Sequence, residues 1–192
     1  MRDVLCLRTF RPVVATIAVC CLGAAPAAAQ SLPEPGTWTV TPFLHSSLGM
    51  GEPAPENSIG LGVAVSYDFT TNLAFEGDIG HLFDVAGDDA NVDWSVTTFS
   101  ANAVYHFDTQ HVTPYATFGL GLERSGFEVK NPDALALYQD ASATEFAINF
   151  GGGVKYAIND RWHARADLRR FQANDIAPDF WRLYGGLTFK VK

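Results

Sequence analysis

From Trp181 to Val191 the chain alternates without an exception. Trp181, Leu183, Gly185, Leu187, Phe189 and Val191 form an apolar set, while Arg182, Tyr184, Gly186, Thr188 and Lys190 between them are polar or small. A period of two with one apolar face predicts a β-strand, because successive side chains of a strand point to opposite sides. The same pattern recurs seven times upstream. It predicts eight strands, near residues 37–48, 58–69, 72–84, 92–107, 111–125, 143–158, 161–173 and 180–191. In the second, Ile59, Leu61, Val63, Val65, Tyr67 and Phe69 share one face, and Gly60, Gly62, Ala64, Ser66 and Asp68 share the other. The sixth sets Phe146, Ile148, Phe150, Val154 and Tyr156 against Glu145, Ala147, Asn149, Gly151, Gly153 and Lys155. The seventh sets Trp162, Ala164, Ala166 and Leu168 against His163, Arg165, Asp167 and Arg169.

The connections alternate in length. Thr70-Thr71, Asp108-Thr109-Gln110 and Asn159-Asp160 are tight turns, whereas Gly49–Asn57, Val85–Asn91, Gly126–Ser142 and Asn174–Asp179 are longer. Short turns at one end and long loops at the other are the habit of outer-membrane barrels. Alternation does not say which face is inside. A soluble lipocalin also has eight strands, and Gly36-Thr37-Trp38 resembles its opening Gly-x-Trp. Volume separates the two readings. An eight-stranded interior holds a filling of side chains or one small ligand, so the Gly/Ala/Ser face with a few charges is expected inside and the bulky residues outside. Trp38, Tyr67, Phe69, Tyr105, Phe107, Tyr156, Trp162 and Phe189 crowd the strand ends nearest the short turns. Such a girdle suits a membrane interface, where an amphipathic ring sits between lipid and water. The expected fold is therefore an all-β, eight-stranded antiparallel up-and-down transmembrane barrel.

Residues 1–29 read as a secretory leader: Arg2, Arg8 and Arg11 are followed by the apolar run Val13–Gly23 and the small residues Ala27-Ala28-Ala29. Residues 30–192 form the barrel domain. Cys6, Cys20 and Cys21 all lie in the leader, so the mature chain has no cysteine, and Ile17-Ala18-Val19-Cys20 lacks the small residue a lipidation site needs. The leader carries three arginines and one aspartate, so its removal takes the net charge from −8 to −10. That balance argues against nucleic acid or polyanion partners.

The chain resembles the small outer-membrane β-barrel family that includes the membrane domain of outer-membrane protein A and outer-membrane proteins X and W. The resemblance rests on Ala103-Val104-Tyr105-His106-Phe107, on Thr113 to Gly121, on Gly151-Gly152-Gly153-Val154-Lys155-Tyr156 and on Gly186-Leu187-Thr188-Phe189-Lys190-Val191. It implies an outer-membrane location in a diderm bacterium, with both termini in the periplasm. It also implies contact with outer-membrane lipid and lipopolysaccharide. Gly186, Phe189 and Val191 resemble the signal read by the barrel-assembly machinery, although the chain ends in Lys192 where the family has an aromatic.

Candidate chemistry lies mainly on the lumen face: Glu76, Asp78, Glu123, Glu145 and Asp167 with Lys155, Arg165, Arg169 and Arg182. Glu76 and Asp78 on the third strand and Arg165 and Arg169 on the seventh fall at similar depth. Unpaired buried charge is costly, so these nine are expected to form an ion-pair network that fills the lumen. A narrow gated channel is the alternative. A lipid A-modifying enzyme needs a His, a Ser and an acid on the lipid-facing side. Arg169-Arg170-Phe171-Gln172-Ala173 offers neither His nor Ser, and the ends of His45-Ser46-Ser47 point inward. Asp84, Asp88, Asp89, Asn91 and Asp93 make a solvated acidic loop without the glycine and distal glutamate of an EF-hand. Asn131 to Tyr138 suggests a short helix, with Asn131 as cap, folded over the barrel mouth. The sequence thus points to a barrel with a structural or surface-interaction role, without catalysis, metal or cofactor.

Overall fold

The computed structural model describes residues 33–49, 58–83, 92–109, 112–129, 141–173 and 179–191. They form eight strands: β1 (Trp38–Leu48), β2 (Ile59–Asp68), β3 (Leu73–Leu82), β4 (Val92–His106), β5 (Thr113–Val129), β6 (Ala141–Ala157), β7 (Trp162–Ala173) and β8 (Phe180–Lys190). Each pairs antiparallel with its sequence neighbours, and β8 returns to β1, so the sheet closes without an edge. The leader, the acidic segment 84–91 and the expected helix at 131–138 lie outside the described residues.

Local chemistry sets the turns. Thr70 Oγ1 accepts the N–H groups of Asn72 (3.2 Å) and Leu73 (2.9 Å), and Asn159 Oδ1 accepts those of Arg161 (2.9 Å) and Trp162 (3.0 Å). Both are side-chain turns that fold the backbone back within a few residues. At the entry to β1, Gly36 has a φ of 85°, and its N–H donates to Asp68 O at 2.7 Å. The left-handed conformation suits glycine, and the bond ties the start of β1 to the end of β2. Beside it, Lys190 Nζ donates to Glu34 Oε2 at 2.7 Å; that bond and the ammonium charge hold the Glu34 carboxyl below its ordinary range.

The hairpin of β5 and β6 is longer than the alternation indicates. Gly126 and Ser142 read as loop residues, yet Gly126 pairs with Ser142 and Phe127 with Ala141. Glycine weakens a strand without ending it when both neighbours remain paired. Among the described residues, pairing of β3 with β4 ends at Leu82 with Val96 and that of β6 with β7 at Ala147 with Ala173, while β4, β5 and β6 stay paired with one another beyond those positions.

The outer wall is apolar. Leu61, Phe75, Phe99, Phe118, Leu120, Leu122, Phe146 and Leu187 are all exposed. Ile79, Phe99, Leu122 and Phe146 form one continuous apolar row across four strands. At the short-turn end the expected aromatics pair on this surface, Trp38 with Tyr67 and Trp162 with Phe189 at 4.9 Å between ring centroids, and Tyr105 with Phe107 at 5.3 Å.

Placing Arg at Leu120, on the outer wall, should cost about 2–4 kcal/mol of stability in bilayers, and Lys at Phe189, nearer the interface, up to about 1 kcal/mol. Lys190→Gln should be tolerated, since it loses only an exposed pair. Urea unfolding of the barrel in lipid vesicles measures all three. Equal losses at Phe189 and Lys190 would contradict the assigned faces.

Candidate functional site: a charged bundle across the lumen

Inward positions on opposite walls bring three arginines and three carboxylates together. β3 supplies Glu76 and Asp78, β7 supplies Arg165, Asp167 and Arg169, and β8 supplies Arg182, all with side chains at most 1% exposed. Arg165 grips Glu76 with two guanidinium nitrogens, at 2.5 and 3.1 Å, the bidentate geometry that a planar fork and a carboxylate share. Arg169 donates to Glu76 Oε1 (2.7 Å), Asp78 Oδ2 (3.1 Å) and both oxygens of Asp167 (2.9 and 3.0 Å). Arg182 donates to Asp78 Oδ1 at 2.9 Å. The bundle is neutral overall, as a desolvated group of charges must nearly be.

Neutral side chains supply further hydrogen bonds to the three carboxylates. Ser66 donates to Glu76 (2.7 Å), while Ser100 and Asn102 donate to Asp78 (2.7 and 2.8 Å). The Tyr115 hydroxyl donates to Asp167 at 2.5 Å and accepts from Arg165 Nε at 2.7 Å. Asn149 donates to Asn102 at 2.9 Å, extending the hydrogen bonds to β6. The Arg182 guanidinium lies among the rings of Phe171 (4.6 Å), Phe43 (5.3 Å) and Tyr184 (5.5 Å), which favour a cation over their faces.

Three of the nine expected lumen residues stand apart from these ion pairs. Lys155 is buried with its Nζ 3.0 Å from His106 Nε2. Glu123 is buried without a hydrogen-bond partner among the described residues, and Glu145 faces it across the β5–β6 pairing. The reason is position: Glu123 and Glu145 lie further toward the long loops than Glu76 and Asp78, and Lys155 lies toward the short turns. His45 and Ser47 also point inward, but Ser47 Oγ accepts the Ser58 amide at 3.1 Å and neither His45 ring nitrogen has a side-chain partner among the described residues. They make no nucleophile–base couple.

The lumen also departs from the expected small-residue face. Phe43, Tyr115, Phe171, Phe180 and Tyr184 are all buried inside. Leu82, Val96, Phe171 and Phe180, with Trp94 against them, form an apolar cluster at the long-loop end, where Phe171 and Phe180 stack at 5.2 Å. Glycine makes room for such side chains. A Cβ on Gly60 would stand 2.6 Å from His45 Nε2, and one on Gly62, Gly119 or Gly153 would collide with Phe43, Asn102 or Tyr115. The alternation that marks Arg182 and Arg169 as inward marks Tyr184 and Phe171 as inward too, so the signal for them was present in the sequence.

Residues 15–189 match the family described as outer membrane protein beta-barrel domain. The chain belongs to that family. Among solved structures, neisserial surface protein A is 20% identical, with 81% of this chain and 97% of that one covered at a TM-score of 0.62. The N-terminal β-barrel domain of OprF from Pseudomonas aeruginosa is also 20% identical, with 82% and 99% covered at 0.60. Ail, the attachment invasion locus protein of Yersinia pestis, is 15% identical, with 81% and 99% covered at 0.58. These likenesses establish the fold alone. No curated protein matches the chain.

Arg165→Glu should destabilise the barrel by at least about 3 kcal/mol, since it removes a buried partner and sets a third acid against Glu76 and Asp167. Adding Glu76→Arg to that variant should recover part of the loss. A double-mutant cycle on urea unfolding checks this, and additive losses would mean that the two residues do not act as a pair.

Proposed function

We propose that the chain is a non-catalytic outer-membrane barrel with a structural or surface-interaction role, its lumen closed by its own side chains. Both termini lie in the periplasm and the long loops face outward. The carrying observation is the neutral bundle that joins β3 to β7 and β8 across the lumen, with six charged side chains almost wholly shielded from solvent. The apolar cluster of Leu82, Val96, Phe171 and Phe180 supports the same reading from the long-loop end. A conducting pathway needs mobile water along its length, and desolvated ion pairs backed by stacked rings oppose it. Gly186, Phe189 and Val191 serve the barrel-assembly machinery, with Phe189 set against Trp162 on the last strand and Val191 exposed just after it.

Single-channel recording on the folded barrel in planar bilayers is the direct test. Wild type should give no steady conductance, while Arg169→Ala, which removes the side chain tied to Glu76, Asp78 and Asp167, should give brief cation-selective openings. A steady open conductance in wild type would replace this reading with that of a narrow channel for small solutes. A changed lipid A mass after expression would replace it with that of a lipid-modifying enzyme.

A further inference from the structure

Among the described residues, seven of the eight strand pairings run without a break, and the pairing of β1 with β8, which closes the cylinder, does not. It joins Thr39 to Lys190 and Val40 to Phe189, skips Thr41 and Pro42, and resumes at Phe43 with Gly186. Proline has no N–H to give to a ladder. The alternation of bonding fixes the side that loses it. Thr37 O accepts the Asp68 N–H from β2 at 2.9 Å, and Trp38 O accepts the Val191 N–H from the end of β8 at 2.8 Å. Even-numbered residues of β1 therefore turn their backbone groups to β8, and Pro42 is one of them. By the register on either side it stands opposite Leu187, whose carbonyl is left without its ladder donor. Pro42 and Leu187 are both exposed on the outer wall, where hydrocarbon supplies no replacement. On β8 the break is flanked by Gly185 and Gly186, and Gly186 has to be bare, since a Cβ there would stand 2.6 Å from Pro42 O.

Side chains span the break from inside. Thr41 Oγ1 and Thr188 Oγ1, both buried, are 2.8 Å apart, and one step on Phe43 stacks on Tyr184 at 4.5 Å. The charged bundle gives β1 little further hold. Its hydrogen bonds draw in Ser66 of β2, Asn102 of β4, Tyr115 of β5 and, through Asn102, Asn149 of β6, but no β1 side chain among the described residues. β1 meets it by the Phe43 ring, 5.3 Å from the Arg182 guanidinium. We propose that the β1–β8 seam is a built-in lateral opening of this barrel, parting at Thr41-Pro42 and Leu187-Thr188 in the folded protein, with the Thr41–Thr188 hydroxyl pair as its latch. A missing ladder bond lowers the local cost of separation, and the strand least tied to the bundle is the one that moves. β1 leaves with β2, to which it is paired without interruption from Trp38 to Ser46. The seam belongs to the wall, so its opening is independent of whether the lumen conducts.

Amide hydrogen exchange of the barrel in lipid nanodiscs, read residue by residue by NMR, tests this. In wild type the Leu44, Gly185 and Leu187 amides should be about tenfold less protected than those of Ala101 and Leu120 in the unbroken β4–β5 pairing. Pro42→Val returns the N–H and keeps the outer face apolar. It should raise protection at Gly185 and Leu187 to the level of Leu120 and leave Ala101 and Leu120 unchanged. Thr41→Val removes the latch and should lower protection at Leu187 further. The mature chain has no cysteine, so Thr41→Cys with Thr188→Cys can form a single disulfide across the seam. Oxidised, that variant should protect Leu187 as Pro42→Val does, and reduction should reverse it. Heat-dependent migration on a detergent gel shows which variants are folded, and the wild-type comparison stands without any of them. Equal protection of Leu187 and Leu120 in wild type would overturn the proposal, as would unchanged protection in Pro42→Val. Unchanged protection in Thr41→Val would overturn the latch.

Discussion

A backbone that crosses hydrocarbon has no water to satisfy its N–H and C=O groups, and everything else in this molecule follows from that. The sheet must close, and eight strands close around an interior too narrow to behave as bulk solvent. Charges placed there must neutralise one another. Three guanidiniums meet three carboxylates, and serine, asparagine and tyrosine take up the lone pairs that remain. The partners stand on opposite walls, Glu76 and Asp78 on β3 and Arg165 and Arg169 on β7, so the bundle braces the cylinder against ovalisation in a direction that strand pairing does not control.

A bundle of this kind is not the most stable filling available. Apolar side chains of similar volume often match or exceed a buried ion pair, because two desolvated charges start from a large penalty. What directional bonds add is register. A strand slipped by two residues keeps every apolar side chain outward, so the apolar pattern alone tolerates the error. It would not keep Arg165 on both oxygens of Glu76 with Tyr115 between Arg165 and Asp167. The polar interior thus constrains an error to which the greasy exterior is indifferent.

The architecture was legible because a period of two is local and repeated, and the strand from Trp181 to Val191 displays it without interruption. Faces were legible for the same reason, and the alternation alone places Glu76, Asp78, Arg165 and Arg169 in the lumen. Closure across the lumen was less legible. It depends on stagger accumulated around eight strands, which no single pair of strands displays, and for this reason Glu123 and Lys155 read as members of a bundle whose ion pairs do not include them. At Gly126 local chemistry suggests a turn, and continued β5–β6 pairing overrides it. Phe43 and Tyr115 fit inside because Gly62 and Gly153 vacate space for them, a three-dimensional quantity that the alternation does not display.

Those glycines make lumen volume a conserved quantity shared between positions. Gly60 is bare where His45 lies, Gly62 where Phe43 lies, Gly119 where Asn102 lies and Gly153 where Tyr115 lies. Each is half of a large–small couple, and neither half can change freely while the other is fixed. Divergence in such an interior proceeds by coupled exchange, a methyl gained on one strand being matched by atoms lost from its partner. Relatives sharing this cylinder should differ inside by correlated pairs, and outside, where lipid accommodates any apolar shape, by independent single changes.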